Sequence, residues 1–463
     1  MISSKANTMR IFVLNPAIYA GKTNIMTVRD RQPLDMAYIA ALVRADHEVR
    51  LLDANILGYD VDRTLEEIGA FRPDVFVLTS TPVNRWECPN SHIDSVYELI
   101  NRAGIKHTIL TGSHGSVTPE WMLRKCNVKY VVRGEPEMIV KHLVDTIATG
   151  GDVKTVKGIS FREGGGFHHT EDALRIENLD ELPMPAYDLL PMDRYRYSFN
   201  DLPQPFSIML TSRGCPYHCT FCLKVMSKDK FIWRSTKSVI GEIKYLQQNF
   251  GVQSVYFQDW EFVINKPRVH ELCDAIIAED IKLKWGCNVR ANDFFFKDLI
   301  KKMADAGCVR VNIGFESGSQ KVLNSIKKAI RIQDLETAIE FTRTLGIKLG
   351  MYALINAPGE TKETIRETMA FLAKHHIDAM NFNLTIPYLG TEMHERLKQL
   401  KPQAEVNWDN VEDYAGLVDT ELSPAAARFW QRHAKFQIRF GKLYPFNPAF
   451  WQHAVKMVAK RLA

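Results

Sequence analysis

The first part of the chain alternates short apolar runs with amphipathic segments of helical period. The apolar runs predict five strands, at residues 10–14, 48–52, 74–78, 107–110 and 129–132. Segments with a helical pattern, such as 34–44 and 92–103, lie between them. Nearly continuous apolar strands that alternate with helices are typical of a parallel sheet covered on both faces. The pattern therefore predicts an α/β fold that begins with a Rossmann-like, doubly wound domain over residues 8–150.

The pattern changes between residues 151 and 200. Residues 158–162 and 167–170 flank a glycine-rich turn and predict a small hairpin. Residues 179–195 (LDELPMPAYDLLPMDRY) contain three prolines, which favour an extended strap over a helix. We interpret 151–200 as a hairpin and a connector between two domains.

A second alternating series follows the connector. It predicts strands at 207–210, 254–258, 284–289, 310–314, 348–354 and 380–386, with helical patterns such as 239–249 and 334–345 between them. Six βα units are too few for a closed eight-fold barrel, which takes about 250 residues. The series therefore predicts a partial, TIM-like (βα)6 barrel over residues 201–398.

The last 65 residues, 399–463, carry no strand signal and predict a helical tail. Residues 423–444 form a long aromatic and basic helical pattern, and residues 449–463 predict a short basic amphipathic helix. Such a helix is able to contact a membrane surface, but a solvated helix is the more common outcome.

Composition and charge narrow the class of protein. Hydrophobic residues make up 46% and charged residues 24% of the 463, which is typical of a soluble globular protein. A net charge of +5, from 59 basic and 54 acidic residues, gives no reason to expect nucleic acid as a partner. The sequence shows no apolar membrane span, no signal peptide and no disulfide framework among its eight cysteines. We therefore expect a cytoplasmic protein with reduced thiols.

The sharpest motif is residues 211–223, TSRGCPYHCTFCL, with the spacing C-x3-C-x2-C. Thiolates ligate iron, and Cys215, Cys219 and Cys222 can bind one cluster from a single loop. Three ligands leave one iron of a four-iron cluster open to a substrate. The alternatives are a zinc site, with His218 as a fourth ligand, or three unrelated cysteines.

This motif resembles the CxxxCxΦC signature of the radical S-adenosylmethionine (SAM) superfamily, with Phe221 at the aromatic position. The resemblance implies that the three cysteines hold a [4Fe–4S] cluster and that SAM binds its open iron. It also implies that the reduced cluster cleaves SAM to a 5′-deoxyadenosyl radical.

Polar residues follow three of the predicted barrel strands, where they would face the barrel mouth. They are Gln258 and Asp259, Arg290, and Glu316 and Ser317. The GFESGS segment at 314–319 resembles a family segment that helps to bind SAM, whereas many members carry GGE where this chain reads QDWE. The simpler alternative is a network of ion pairs that closes the barrel mouth.

Small hydroxyl and glycine residues follow the strands of the first domain and allow a ligand to approach the backbone closely. The candidates are Thr79, Ser80, Thr81, Thr111, Gly112, Ser113, Gly134 and Glu135. No G-x-G-x-x-G follows the first strand, which argues against a dinucleotide.

Over residues 9–395 the layout resembles the cobalamin-binding class of radical SAM enzymes. The resemblance implies a corrinoid between the first sheet and the barrel mouth, with its nucleotide tail along 79–81 and 111–115. The Asp-x-His-x-x-Gly motif of classical cobalamin domains is absent, since residues 15–26 read NPAIYAGKTNIM. We therefore expect cobalt without a histidine ligand from that loop, and we interpret His114 as a loop residue.

Together these features predict an enzyme that methylates an unactivated carbon of a small-molecule substrate. The alternatives are a cobalamin-dependent oxidoreductase that forms a ring, as in the anaerobic porphyrin cyclases, and a corrinoid-responsive binding protein with a structural cluster. Reduction of the cluster calls for a reductase or a flavodoxin- or ferredoxin-type electron donor. No motif identifies the substrate.

Overall fold

The computed structural model describes residues 7–18, 31–197, 201–227, 229–375 and 377–440. The predicted helix 449–463 and most of the loop 15–26 lie outside the described residues. Within them, no helix is both long and apolar enough to span a bilayer.

The first sheet is built on the five predicted strands. Its strands are β1 (Arg10–Asn15), β2 (Glu48–Asp53), β3 (Val75–Thr79), β4 (His107–Thr111), β5 (Tyr130–Val132), β6 (Ile159–Glu163) and β7 (Gly166–His169). They lie in the order β2-β1-β3-β4-β5-β6-β7, and β1 to β5 are parallel. The strand order reverses between β1 and β3, which is where a doubly wound sheet binds ligands.

Within the described residues, seven helices connect or follow these strands. They are α1 (Leu34–Val43), α2 (Ala54–Leu57), α3 (Val61–Phe71), α4 (Asp94–Ala103), α5 (Ser113–Val117), α6 (Pro119–Lys125) and α7 (Pro136–Ala148). The predicted hairpin is present as β6 and β7, and β6 pairs antiparallel with β5. The hairpin thus extends the first sheet to seven strands.

The second sheet is the partial barrel. Its strands are β8 (Phe206–Met209), β11 (Ser254–Phe257), β12 (Lys284–Val289), β13 (Cys308–Glu316), β14 (Lys348–Ile355) and β15 (Ala379–Leu384). All neighbours are parallel, in the order β15-β14-β13-β12-β11-β8. A separate small sheet pairs β9 (Ser212–Arg213) with β10 (Ile232–Trp233).

The helices of this half are α8 (Thr236–Phe250), α9 (Lys266–Ala278), α10 (Lys297–Asp305), α11 (Gln320–Ser325), α12 (Ile332–Thr344), α13 (Lys362–Lys374), α14 (Glu392–Leu400) and α15 (Pro424–Phe440). α15 is the described part of the helix predicted over 423–444. One large hydrophobic core includes residues of both sheets and most of their helices, and two small clusters lie beside it around Val322 and Met393.

Two glutamine side chains bind the open edges of the partial barrel. Gln32 donates to the carbonyl of Phe206 at 3.2 Å and accepts from the amide of Ile208 at 3.0 Å, both on β8. At the opposite edge, Gln431 of α15 donates to the carbonyl of Phe382 on β15 at 2.8 Å. Backbone groups that a closed barrel would pair between strands are therefore satisfied by side chains.

The proline-bearing connector is tied to both halves. Ala186 donates its amide to the carbonyl of Ala37 in α1 at 3.1 Å, and Tyr187 donates its hydroxyl to Glu242 of α8 at 2.5 Å. Tyr195 donates to Asp53 at the end of β2 at 2.7 Å. These bonds hold the carboxyl edge of the first sheet against the barrel.

Candidate functional site

The cysteine motif lies in a loop that begins directly after β9 and ends before β10. Antiparallel pairing of these two short strands closes the base of the loop. Gly214 sits at this base with φ +82°, and a Cβ there would lie 2.2 Å from the carbonyl oxygen of Lys230. Only glycine fits this close approach and this backbone conformation.

Asp259 anchors the strand that leads into the loop. Its fully buried carboxylate accepts from the amide of Thr211 at 2.7 Å and from the hydroxyl of Ser212 at 2.6 Å. Arg268 lies 3.7 Å away as its counter-ion. The sequence suggested a cofactor contact for Asp259, but these partners occupy its oxygens and give it a positioning role.

Cys215, Cys219 and Cys222 are free thiols that are each partly buried. Burial raises the pKa of Cys222 well above its ordinary value, and Glu87 and the other two thiols raise it further. Three thiols in mutual electrostatic contact in one loop fit the ligand set of an iron–sulfur cluster.

The zinc alternative finds less support in this geometry. The side chain of His218 is 71% exposed, and its nearest charged partner is Asp229 at 4.0 Å. Among the residues that the structure describes, no three His, Cys, Asp or Glu side chains surround one point as ligands of a single ion would. The ligands of a four-iron cluster bind separate irons and do not need to converge in this way.

The barrel mouth places an ion pair beside the cysteine loop. Lys328 donates to Glu316 at 2.8 Å, and its ammonium lies 5.9 Å from the centre of the Phe221 ring. A Cβ at Gly314 would lie 2.3 Å from the Lys328 ammonium, so the glycine makes room for this pair. Burial acts to lower the pKa of Lys328, but the Glu316 and Cys219 charges outweigh it and leave the pKa raised.

Arg290 contacts the loop from the same side. Its guanidinium lies 3.7 Å from the centre of the Tyr217 ring, within the cysteine loop, and donates to the carbonyl of Lys328. Ser317, in contrast, faces away from the loop, since its hydroxyl lies 3.0 Å from that of Thr368 in α13. Arg290 and Glu316 therefore lie beside the cysteine loop, whereas Ser317 contacts α13 instead.

Arg31 of the first domain reaches into the barrel. It donates to the side chain of Gln258, and its guanidinium lies 5.4 Å from the centre of the Tyr256 ring. Below it, the amide of Asn312 lies 2.6 Å from the Tyr256 hydroxyl and 3.2 Å from that of Tyr352. The interior of the barrel is thus polar and hydrogen-bonded.

The predicted hydroxyls of the first sheet bind one another and His114. The Thr81 hydroxyl lies 2.9 Å from Nδ1 of His114, and the carbonyl of Asn90 lies 2.9 Å from Nε2. Because a carbonyl only accepts, Nε2 carries the proton and Nδ1 accepts from Thr81. Burial lowers the pKa of His114 to about 4, so this ring is neutral at physiological pH.

The remaining candidates at this edge are also buried or internally bonded. Thr79 binds the Thr81 backbone, Ser80 and Thr111 share a hydrogen bond of 3.0 Å, and Ser113 donates to the carbonyl of Trp86 at 2.9 Å. A Cβ at Gly112 would lie 2.8 Å from the Ser80 hydroxyl, so these loops pack too closely for a side chain.

Gly134 and Glu135 have different surroundings from each other. A Cβ at Gly134 would meet open space, so the backbone is accessible there. Glu135 is buried and lies 3.5 Å from Arg213 and 3.6 Å from Arg175. Glu135 therefore belongs to an ion-pair cluster between the domains.

A residue from the C-terminal segment covers this edge. The indole of Trp408 packs edge-on against His114 with 4.4 Å between the ring centres, and it donates to Thr118 at 2.7 Å. Glu412, a few residues later, accepts from Ser91 at 3.2 Å. No sequence motif marks Trp408, because its partners lie almost 300 positions away.

The two ligand-binding edges meet at the loop that follows β3. The carbonyl of Glu87 in this loop accepts from the amide of Leu223 at the end of the cysteine motif, at 3.1 Å. Cys88 lies beside it, with its sulfur 3.9 Å from a Glu87 carboxylate oxygen. Sequence reasoning missed Arg85, Glu87 and Cys88, which follow the end of β3 by six to nine residues. Two charged residues in a loop at the carboxyl end of a buried strand were a usable signal.

The chain is similar to known proteins in both halves. A profile of the Radical SAM superfamily matches residues 209–372, and a profile of the B12 binding domain matches residues 27–144. An uncharacterized methyltransferase of Pyrococcus horikoshii is 33% identical over 81% of this chain and 80% of its own length. An anaerobic magnesium-protoporphyrin IX monomethyl ester cyclase of Rubrivivax gelatinosus is 25% identical over 84% of this chain and 70% of its own.

A solved structure has a similar fold over most of this chain. The radical SAM methyltransferase TsrM of Kitasatospora setae, with cobalamin and a [4Fe–4S] cluster bound, superimposes with a TM-score of 0.65. The match covers 85% of this chain and 75% of that chain at 21% identity. At this identity the likeness concerns the fold.

The fold and the cysteine loop define a radical SAM enzyme with a cobalamin-binding domain. The chain belongs to the cobalamin-dependent family of the radical SAM superfamily, which includes methyltransferases and cyclases. This membership confirms the predicted fold class and the predicted enzyme class. It also confirms the predicted cofactors at the level of the family: a [4Fe–4S] cluster, SAM and cobalamin.

Proposed function

We propose that this protein uses cobalamin and SAM to methylate an unactivated carbon of a small-molecule substrate. The supporting observation is the contact between the cysteine loop and the loop after β3, through Leu223 and Glu87. It brings the carboxyl edge of the first sheet against the mouth of the barrel, so that a corrinoid and SAM would share one cavity.

We assign Cys215, Cys219 and Cys222 as the cluster ligands, with Phe221 beside them. When bound, the cluster and SAM supply a carbon-centred radical and cobalamin supplies a methyl carrier. Arg290 and the Glu316–Lys328 pair lie next to the loop and offer opposite charges for the carboxylate and ammonium of SAM.

The protein's own contribution is rigid placement and exclusion of water. Asp259 fixes the strand before the loop, and Trp408 covers the hydroxyl-rich edge of the first sheet. His114 is neutral and bonded through both ring nitrogens, which suits packing and leaves no nitrogen for cobalt. This supports the interpretation of His114 as a loop residue. We propose a cobalt centre that has no histidine ligand from the loop after β1 and none from His114.

A ring-forming oxidoreductase is the second candidate. It is favoured by one observation, the 25% identity to the Rubrivivax gelatinosus cyclase over 84% of this chain. The two functions differ in their products, because methylation adds one carbon and cyclisation adds none.

We propose a cytoplasmic enzyme whose substrate is a small molecule and whose electrons come from a reductase or a flavodoxin- or ferredoxin-type donor. The radical chemistry requires a reduced cluster, and the charge balance of the chain gives no reason to add nucleic acid.

The first experiment is anaerobic purification with added hydroxocobalamin, followed by iron, sulfide and cobalt analysis. The holoenzyme is then incubated with reductant and SAM that carries a deuterated methyl group. Methyl transfer predicts S-adenosylhomocysteine that depends on added cobalamin, together with 5′-deoxyadenosine. Cobalamin-bound enzyme that forms 5′-deoxyadenosine without S-adenosylhomocysteine would favour cyclisation.

Replacement of the triplet tests the cluster assignment. Cys215→Ala, Cys219→Ala and Cys222→Ala should each abolish the cluster absorbance and all SAM cleavage, because each removes one of three ligands. Cys126→Ala and Cys273→Ala are matched controls. Both cysteines are buried, and both lie outside the cysteine motif in the sequence. Full iron content in a triplet variant would refute the assignment.

A further inference from the structure

Arg85 differs from the other buried arginines. Six arginines among the described residues are less than a tenth exposed. Five have partners: Arg213 binds Glu137, Arg234 binds Glu242, Arg268 binds Thr211, Arg290 binds the carbonyl of Lys328, and Arg310 binds Asp201. Arg85 is 4% exposed, and its Nε and Nη2 are shielded from water with no acceptor in the described part of the chain.

Burying an unpaired guanidinium, as at Arg85, costs free energy of folding. It stays charged at any physiological pH, so it cannot escape the cost of burial by losing a proton. Buried charges in folded proteins are therefore paired or hydrogen-bonded. Glu87 interacts with Arg85 electrostatically, but no described carboxylate lies within ion-pair distance of the guanidinium. An anionic group of a ligand would supply the missing partner.

The surroundings of Arg85 place this ligand near the cysteine motif. Arg85 precedes Glu87 by two residues, and the Glu87 carbonyl is bonded to Leu223 of the cysteine motif at 3.1 Å. Two neighbours in the same loop, Trp86 and Asn90, also carry buried side-chain N–H groups without an acceptor. One short segment thus offers donors from three side chains beside the proposed reaction centre.

We propose that Arg85 binds a carboxylate or phosphate group of the substrate, so that the substrate is an acidic small molecule. The proposal rests on the function proposed above. SAM is a less suitable source of the anion, because Arg290 and Lys328 contact the cysteine loop through Tyr217 and Phe221, on the barrel side. Arg85 belongs to the first domain, in the loop after β3. The phosphate of cobalamin is the competing source.

The test uses the full-length holoenzyme with its cluster, cobalamin and SAM, and inorganic phosphate as the probe. Phosphate is titrated by calorimetry into the wild-type protein and into Arg85→Gln, Arg85→Lys and Arg428→Gln. Arg428 is exposed on α15, so its replacement removes the same charge from the surface. We expect phosphate binding about tenfold weaker in Arg85→Gln and unchanged in Arg428→Gln. Arg85→Lys should be intermediate, because lysine keeps the charge and loses the two-point geometry.

Iron and cobalt contents separate the sources of the anion. Arg85→Gln with normal iron and cobalt but weakened phosphate binding supports a substrate subsite. Equal phosphate binding in the wild type and Arg85→Gln would overturn it, and so would loss of cobalt from Arg85→Gln, which would assign the anion to cobalamin. If Arg85→Gln fails to fold, the Arg85→Lys titration decides the question. Failure of the proposed function is distinct, since it appears as absent cobalt or absent S-adenosylhomocysteine in the wild type.

Discussion

At the scale of single residues, the most informative side chains are the buried acids where the two halves meet. Asp35, Glu135 and Glu137 are all buried, and Arg213 supplies the nearest cation to the two glutamates. The Asp35 carboxylate faces backbone groups at Val83 and Met36, which offset its burial only in part. Burial, with the Glu137 charge as the next cause, raises the pKa of Asp35 to about 7.

This pKa predicts a pH dependence of folding. Because the folded protein holds the Asp35 proton more tightly than the unfolded chain, the free energy of unfolding should fall as pH rises from about 4 to 7, by up to ~4 kcal/mol. Asp35→Asn cannot ionise and should lack this part of the slope. Urea unfolding between pH 4 and 8 measures the pH dependence of the unfolding free energy. Asp62→Asn is the control, because the Asp62 side chain is 75% exposed. Parallel curves for the wild type and Asp35→Asn would contradict the prediction.

At the scale of elements, the partial barrel is held by side chains at its two open edges. A six-stranded sheet that does not close leaves unpaired backbone groups on its first and last strands. Gln32 and Gln431 bind β8 and β15 at these edges, and each comes from outside the barrel. The first domain and helix α15 are therefore part of the structural support of the barrel.

Gln32→Ala tests this support. Gln32 is fully buried and makes two hydrogen bonds to β8, so its loss leaves two backbone groups without partners. We expect a decrease of about 2–4 kcal/mol in the free energy of unfolding. Gln333→Ala, on the exposed face of α12, should change it by less than about 0.5 kcal/mol. Hydrogen exchange should also accelerate at β8, and equal effects of the two substitutions would argue against edge support.

At the scale of the whole molecule, one ion-pair cluster links the two cofactor-binding halves. Arg213 on β9, directly before the cysteine loop, donates to Glu137 of α7 at 2.6 Å. Both side chains are almost fully buried, at 3% and 0% exposure. A movement of α7 in the first domain would therefore shift Arg213 at the base of the cysteine loop.

Breaking this pair should be costly. Arg213→Gln leaves Glu137 buried and uncompensated, which predicts a loss of about 3–5 kcal/mol in unfolding free energy. Arg10→Gln breaks an exposed pair with Glu48, whose side chains are 40% and 56% accessible, and should cost less than about 1 kcal/mol. Denaturant unfolding of the reconstituted proteins compares them. The double variant Arg213→Gln/Glu137→Gln should recover part of the loss, and no recovery would show that the pair is not the cause.

Much of the layout could be predicted because it depends on local order in the chain. Alternating apolar runs placed every parallel strand of the two large sheets to within about three residues, since burial on two faces requires continuous apolar strands. The cluster loop could also be predicted from the cysteine spacing, because three ligands for one cluster lie within eight consecutive residues. The family assignment follows from these local features.

Which polar residues reach the site depends on how the chain folds. Asp259 and Ser317 follow barrel strands as Glu316 does, yet Asp259 is bound to Thr211 and Ser317 lies beside Thr368. The elements, the cluster loop and the likeness to a family could be predicted from the chain alone, because periodicity and spacing are properties of neighbouring residues. The direction of each side chain, the hairpin's place in the first sheet and the unpaired state of Arg85 depend on partners far away in the chain, and the sequence alone does not specify those contacts.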